Sequence, residues 1–361
     1  MKQNHFHALI LAGGRGTRFW PRSRTKRAKQ VLEFLGESTL IQQTVARLEK
    51  LIPRERIWIL TNEHLRDEIV RQLPGVPKRQ ILAEPAQRNT APPIALAAKV
   101  LHDTDPDAVM GVFPADHHIG KPGAFLRVLR AAYRAAAAGH MAIIGIQPRW
   151  AETGYGYVEF PKGRMTPGSL DPVEIIRFRE KPGPETARQF VEAGHFGWNA
   201  GMFFWRADVF LREMRQHLPE TAALIESLPK FGARTFAAKL ADVFPRCENI
   251  SVDYAILEKV QGVVGFAAGD IDWNDVGSWN AVHDLLLKDA NGNATHQTEA
   301  LFVSASGNLV HAPGKLVALL GVDDLIVIET SDALLVARKD QAQRVGDVVK
   351  LLEKQKRLDL L

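Results

Sequence analysis

The sequence holds a single cysteine, Cys247, in 361 residues. An intramolecular disulfide and a multi-thiolate zinc site are therefore excluded. With no partnering motif beside it, the thiol reads as a buried apolar group rather than a nucleophile. No apolar run approaches the roughly 20 residues that a membrane-spanning helix requires. The run that ends at Leu11 is short, opens directly into glycines and has no small-residue cleavage site behind it. No leader peptide and a cytoplasmic location are the expectation. Low-complexity tracts are also missing, and 46% hydrophobic with 24% charged residues is the balance of a chain that folds on its own. The formal net charge is only +5, so no overall field favours a nucleic acid or membrane partner. The basic excess is concentrated in Arg15, Arg18, Arg22, Arg24, Lys26, Arg27 and Lys29. That run has no aromatic repeat and suits a small polyanion such as a nucleoside triphosphate.

What is present is an alternation of short β-rich runs with amphipathic stretches. It predicts strands over 7–11, 57–60, 80–83, 108–113 and 141–146. Helices are predicted over 39–51 behind a Ser38 cap, 64–73, 90–102 with prolines in the first turn, and 124–138. This is an α/β pattern of parallel strands with crossover helices, which gathers the carboxyl ends of the strands on one ligand-binding edge. From Glu152 to about Asp289 the alternation loosens, with strands over 157–160, 173–179 and 201–205 that complete a mixed sheet and a substrate pocket. The turn cluster Ala290-Asn291-Gly292-Asn293 divides a domain of 1–289 from a module of 290–361. In the module, apolar runs at 300–303, 308–311, 316–320, 325–329 and 333–337 recur with Gly or Asp turns before a closing helix over 341–356. The spacing predicts an all-β module, and its irregularity leaves open whether it winds as a short left-handed β-helix.

Directly after the first strand comes Leu11-Ala12-Gly13-Gly14-Arg15-Gly16-Thr17-Arg18. Glycines let the backbone turn sharply and offer N–H groups to phosphate oxygens, and Arg18 adds a forked permanent charge. Phe19 stands where the dinucleotide fingerprint needs its third glycine, and the Gly-Lys-Ser/Thr ending of a P-loop is missing. A nicotinamide dehydrogenase is disfavoured on that ground, while an ordinary strand-to-helix turn stays open. Asp116 follows the fourth strand, and Asp275 lies in the tight turn Trp273-Asn274-Asp275-Val276-Gly277. Two carboxylates with phosphate oxygens and water suit Mg2+, although single aspartates are more often caps or solvated turns. His117 and His118 have no cysteine or third histidine nearby and read as structural. Taken alone, Arg179-Glu180-Lys181-Pro182 is a solvated turn, Thr153-Gly154-Tyr155-Gly156-Tyr157 a hairpin turn, and Trp198-Asn199-Ala200-Gly201 a buried strand start. Glu84, before the helix opened by Arg88-Asn89-Thr90, is a carboxylate acceptor suited to the N1 and N2 donors of guanine.

The stretch Ala12-Gly-Gly-Arg-Gly-Thr-Arg-Phe-Trp-Pro-Arg-Ser23 followed by Lys29-Gln30 resembles the signature of the sugar-1-phosphate nucleotidyltransferases, and its Arg-Phe-Trp-Pro variant is similar to the guanylyl-transferring branch. The segments around Asp116, Glu180-Lys181, Asn199, Ser251–Lys259 and Asp275 follow in the order of that family, over about 8–287. Ala28 stands where the family has proline. The resemblance implies a Rossmann-like, GT-A-like catalytic domain. It also implies transfer of GMP from GTP to α-D-mannose 1-phosphate, giving GDP-mannose and pyrophosphate by direct in-line attack assisted by Mg2+, without a covalent intermediate. In that reading Arg18 and Lys29 act on the triphosphate and Lys181 on the sugar phosphate. Leu11, Ala12, Gly13, Gly14, Gly16, Thr17, Glu84, Arg88 and Asn89 bind the nucleotide, Gly156, Glu180 and Asn199 the sugar, and Asp116 and Asp275 the metal. Ser251–Lys259 receives no catalytic role.

Two alternatives remain: a transferase for another sugar 1-phosphate, such as glucose or a heptose, or a silent sugar-nucleotide-binding regulatory subunit. Retention of Arg18, Lys29, Asp116, Lys181 and Asp275 disfavours the second. With Leu361 as its last residue, the chain is expected to carry one activity and no added isomerase domain. The β-rich tail could close the active domain or mediate a homodimer.

Overall fold

A computed structural model describes residues 5–361. Residues 1–4, which enter the expectation of no leader, lie outside the described residues. The first part runs β1 (Phe6–Leu11), α1 (Leu40–Leu48), β2 (Ile57–Asn62), α2 (Glu63–Gln72), β3 (Ile81–Glu84), α3 (Ala91–Thr104), β4 (Val109–Pro114), β5 (His118–Ile119), α4 (Pro122–Ala137) and β6 (Ala142–Ile146). β1 is apolar almost throughout because both of its faces are covered: Ala8 and Ile10 pack into one layer and Leu9 into the other. The cap of α1 is Thr39 rather than the expected Ser38. Thr39 Oγ1 accepts from the Gln42 N–H while the Gln42 side chain accepts from the Thr39 N–H, and only Thr39 has a glutamine at the required spacing.

The second part adds β7 (Tyr157–Glu159), β8 (Val173–Glu174), β9 (Arg177–Arg179), α5 (Pro184–Ala193), β10 (Phe196–Arg206), α6 (Ala207–His217), α7 (Pro219–Glu226), α8 (Phe236–Val243), β11 (Val264–Ala268), β12 (Trp273–Asn274) and α9 (Trp279–Leu285). The main sheet runs β3-β2-β1-β4-β10-β6-β11-β8. β1 to β4 are parallel as expected, but β10 inserts antiparallel between β4 and β6, so the expected fifth neighbour is displaced by one place. The single strand expected over 173–179 is two. β8 pairs with β11 and β9 with β7, so the chain changes partner at Ile175 and Ile176. β10 is longer than expected and is interrupted between Asn199 and Phe203, where Gly201 takes φ +66°.

In the last part, β13 (Ala294–Thr295), β15 (Leu309–His311) and β17 (Leu325–Glu329) form a parallel sheet. The intervening β14 (Glu299–Val303) and β16 (Leu316–Leu320) form a second. Successive strands thus alternate between two parallel sheets, the winding of a β-helix. β18 (Leu334–Arg338) closes it antiparallel to β17, and a 3-10 turn over Lys339–Arg344 leads into α10 (Val345–Lys354). Asn308 donates to the side-chain oxygen of Asn293 one coil below at 2.9 Å, pairing buried amides that would otherwise be unsatisfied. Phe19, Trp20 and Phe34 share a core with Trp279, Leu309, Ile326 and Val349. The segment 19–34 is therefore packed against the β-helical part and α10.

Candidate active site

The glycine loop leaves β1 at the carboxyl edge of the sheet, as expected. Its carbonyls are held by side chains: Ala12 by Gln30 and Thr61, Gly13 by Asn62, Gly14 by Gln30, and Gly16 by Ser23. Gly16 sits at φ +64°, and a Cβ there would lie 2.4 Å from Cβ of Lys29, so glycine is required twice over. That close approach carries the loop over Lys29, which is 7% exposed. Its ammonium lies 2.9 Å from Oδ2 of Asp116 and donates to the carbonyl of Asp275 at 2.7 Å. Burial pushes the Asp116 carboxyl up, but Lys29, His117 and hydrogen bonds outweigh it and hold the group below the usual carboxylate range. The Asp275 carboxylate accepts from the Tyr155 hydroxyl at 2.6 Å and from the Gly277 N–H at 3.1 Å.

On one side of this junction lies a cavity of about 440 Å3, bordered by Gly13, Gly14, Glu84, Arg88, Asn89 and Asp116. Burial pushes the Glu84 carboxyl up to about 8, and Gly13 passes close to it, since a Cβ on that glycine would be 3.7 Å from Oε1. A wider concavity of about 840 Å3 continues past Glu84 to Arg15, Lys26, Glu353 and Leu361. On the other side is a cavity of about 320 Å3 bordered by Tyr155, Gly156, Glu180, Asn199, Asp253 and Asp275. Leu11 and Thr90 border both smaller cavities. Gly156 permits the approach of Glu180, because a Cβ would stand 2.4 Å from Oε2. Lys181 takes φ +42° and its ammonium reaches Oε1 of Glu180 at 2.6 Å. Burial alone would lower the lysine; the glutamate more than offsets it, so its pKa is raised.

Several expected residues have partners within the protein or lie at the margin of the site. Arg18 donates to the Gly277 carbonyl at 3.0 Å and to Gln343, which sets it beside the Asp275 turn but engaged with the C-terminal module. Thr17 faces the same module, near Gly346. Arg88 is committed to the carbonyl of Pro245. Asn89 lies at the cavity edge with φ +59°. The basic run is divided: Arg22 is buried and donates to the Glu33 carbonyl, and Arg24 pairs with Asp332. Three groups at the site received no substrate role from the sequence. Gln30 braces the loop. His117, which borders the smaller cavity, is pushed by burial to about 4 and accepts from the Trp273 indole at Nδ1, which leaves its proton on Nε2. Asp253 is the third. Gln30 and Asp253 both lay inside quoted motifs, so the signal was present but carried no direction in space.

The sequence model described as nucleotidyl transferase matches residues 7–292, and one described as a MannoseP isomerase/GMP-like beta-helix domain matches 298–352. Alginate biosynthesis protein AlgA of Pseudomonas aeruginosa is 39% identical over 97% of this chain and 72% of its own length. A mannose-1-phosphate guanylyltransferase of Klebsiella pneumoniae is 36% identical, over 97% and 74%. A solved structure from Thermus thermophilus, described as mannose-1-phosphate geranyltransferase, superposes with a TM-score of 0.84 at 32% identity, covering 97% of this chain and 99% of that one.

Proposed function

The chain belongs to the nucleotidyl transferase family, and from that premise we propose that it transfers the guanylyl group of GTP to mannose 1-phosphate, releasing pyrophosphate and forming GDP-mannose. The observation that carries the reading is the junction at Lys29. Asp116 borders one cavity, Asp275 borders the next, and a single buried ammonium touches both residues. Two phosphorylated substrates seated in adjoining cavities would meet there.

The attacking group is a phosphate oxygen of the sugar phosphate, already an anion, so no side-chain nucleophile is needed. The protein's task is to hold two polyanions in line and offset their repulsion. The N–H groups of the glycine loop receive the triphosphate with Lys29, and Arg18 joins them by exchanging its Gly277 and Gln343 partners for phosphate oxygens. Lys181 receives the sugar phosphate, and Glu180 with Asn199 the sugar. Glu84, bordering the nucleotide cavity, accepts as a carboxylate from the N1 and N2 donors of guanine, which favour the ionised form on binding and which adenine cannot offer in that arrangement. Asp116 and Asp275 are hard oxygen donors that fit a divalent cation such as Mg2+, with phosphate oxygens and water completing its coordination. Bound there, the ion would offset charge developing on the phosphate oxygens.

A cytoplasmic location is part of the same proposal; among the described residues no helix is long and apolar enough to cross a membrane. The test is pyrophosphate release measured with GTP, ATP, CTP and UTP against mannose, glucose and heptose 1-phosphates, with and without Mg2+. Release confined to GTP with mannose 1-phosphate supports the reading. Equal use of ATP would contradict the role of Glu84, and no release from any pair would end the proposal.

A further inference from the structure

Between α8 and β11 the chain makes one turn of π-helix, Asp253–Leu257, a rare geometry that is frequent at functional sites. The turn packs Ala255, Ile256 and Leu257 inward. On its other flank, Glu258 accepts from the backbone N–H of Glu180 at 3.0 Å, docking the turn against the Glu180-Lys181 corner. Asp253 is thereby brought to the wall of the 320 Å3 cavity. There its Oδ1 accepts from the side-chain N–H of Asn199 at 3.1 Å, and Asn199 uses its own carbonyl oxygen on the Gly201 N–H at 2.8 Å. Asn199 is thus oriented by Asp253, and half of its hydrogen-bonding capacity is already committed.

Glu180 supplies the second observation. Its side chain is 7% exposed, one oxygen faces Lys181, and Oε2 is buried with no hydrogen-bond partner. An unpartnered buried carboxylate oxygen is costly unless a ligand supplies donors. Glu180 and Asp253 approach the cavity from different elements, and Glu180 helps to raise the Asp253 carboxyl. What Glu180 Oε2 lacks is a hydrogen-bond donor.

We propose that Asp253 is a substrate-binding and specificity-determining residue, which together with Glu180 accepts hydrogen bonds from neighbouring hydroxyls of the sugar 1-phosphate while holding Asn199 in place. The proposal rests on the sugar-phosphate reading of this cavity given above. Burial, with Glu180 adding to it, pushes the Asp253 carboxyl up to about 6, in keeping with a group kept from water for a ligand's use. A site built to accept from a substrate hydroxyl rejects the analogue lacking it far more strongly than an apolar pocket would. Asp253 therefore selects by which hydroxyls are present and where they point.

The test is steady-state pyrophosphate release by the full chain at saturating GTP, with mannose 1-phosphate and its 2-, 3-, 4- and 6-deoxy analogues, for the unmodified protein, Asp253→Asn and Asp253→Ala. For both variants the expected result is a rise of about 10-fold or more in KM for mannose 1-phosphate, with KM for GTP within about 2-fold. At least one deoxy analogue that the unmodified protein discriminates against should lose that penalty in Asp253→Ala, because its partner is already gone. A structural role alone would not produce this hydroxyl-specific loss. Unchanged discrimination in both variants, or equal shifts in KM for GTP, would overturn the proposal. Should Asp253→Ala not fold, the near-isosteric Asp253→Asn decides by its KM for the parent and deoxy sugars. Absence of release by the unmodified protein would instead indict the parent reading.

Discussion

At the phosphate end of the cleft, the Asp116 carboxylate is met by Lys29 and the Asp275 carboxylate by Tyr155 and Gly277. At the sugar end, Glu180 keeps an oxygen without a partner and Asp253 is met by the neutral amide of Asn199. Every carboxylate at the first end is met by donors from the protein itself, Asp116 by a full charge and Asp275 by neutral donors. At the second, Lys181 pairs with one oxygen of Glu180 and the other is left over. In the proposed reaction the ligands would account for the difference. Phosphates and cations bring full charges that must be exchanged for existing ones, whereas a sugar brings only neutral donors, which bind best to acceptors kept idle and dry.

Variants test this contrast, the largest effect first. Lys29→Ala should lower kcat/KM about 10^3-fold, and it should destabilise the fold by on the order of 3 kcal/mol because Asp116 is left without its counter-charge. Kinetics and urea unfolding together check it, and unaltered stability would show that the phosphate end is not internally paired. Asp275→Asn keeps the shape but removes a charge. A loss of about 10^2-fold in turnover with a raised Mg2+ requirement is expected, read from metal titrations.

Glu84→Gln should reduce the preference for GTP over ATP by about 10-fold in competition assays. It also carries a pH signature. The Glu84 carboxyl is raised to about 8 in the folded protein, so its stabilising balance is fully present below the ordinary carboxylate range. It is lost as pH rises towards 8, by up to roughly 4 kcal/mol. The Tm of Glu84→Gln should therefore gain on that of the unmodified protein between pH 5 and 8, in scanning calorimetry. A constant difference would refute the buried, raised carboxyl. Smallest of all, Glu353→Gln frees Arg15 from an exposed ion pair of 2.9 Å, and KM for GTP should change by less than about 3-fold.

The parallel strands, the loop after β1 and the order of the motifs were legible because each depends on local chemistry: apolar runs, glycines and charges at short spacing. The insertion of β10 between β4 and β6 was not, since strand order depends on pairing between distant segments. The split of 173–179 into β8 and β9 escaped for the same reason: one apolar run serves two neighbours. At the site, Lys29, Asp116 and Asp275 were named from sequence and meet. Arg24 was grouped with the phosphate-facing cations, yet it serves Leu360 and Asp332, and charge alone cannot say which partner lies nearby. Asp253 stayed silent because its role depends on a π-turn, a backbone feature without a residue code.

The carbonyl of Leu360 accepts from the Trp20 indole at 3.0 Å and from Arg24. Trp20 follows directly on the glycine loop, so that loop's far side is stitched to residues 358–361 beside the wider concavity. During synthesis the β1 to β4 layer can form early, but this stitch waits until the last coil and α10 have left the ribosome. A nascent chain stalled before α10 would expose Phe19 and Trp20 while its sheet was already built.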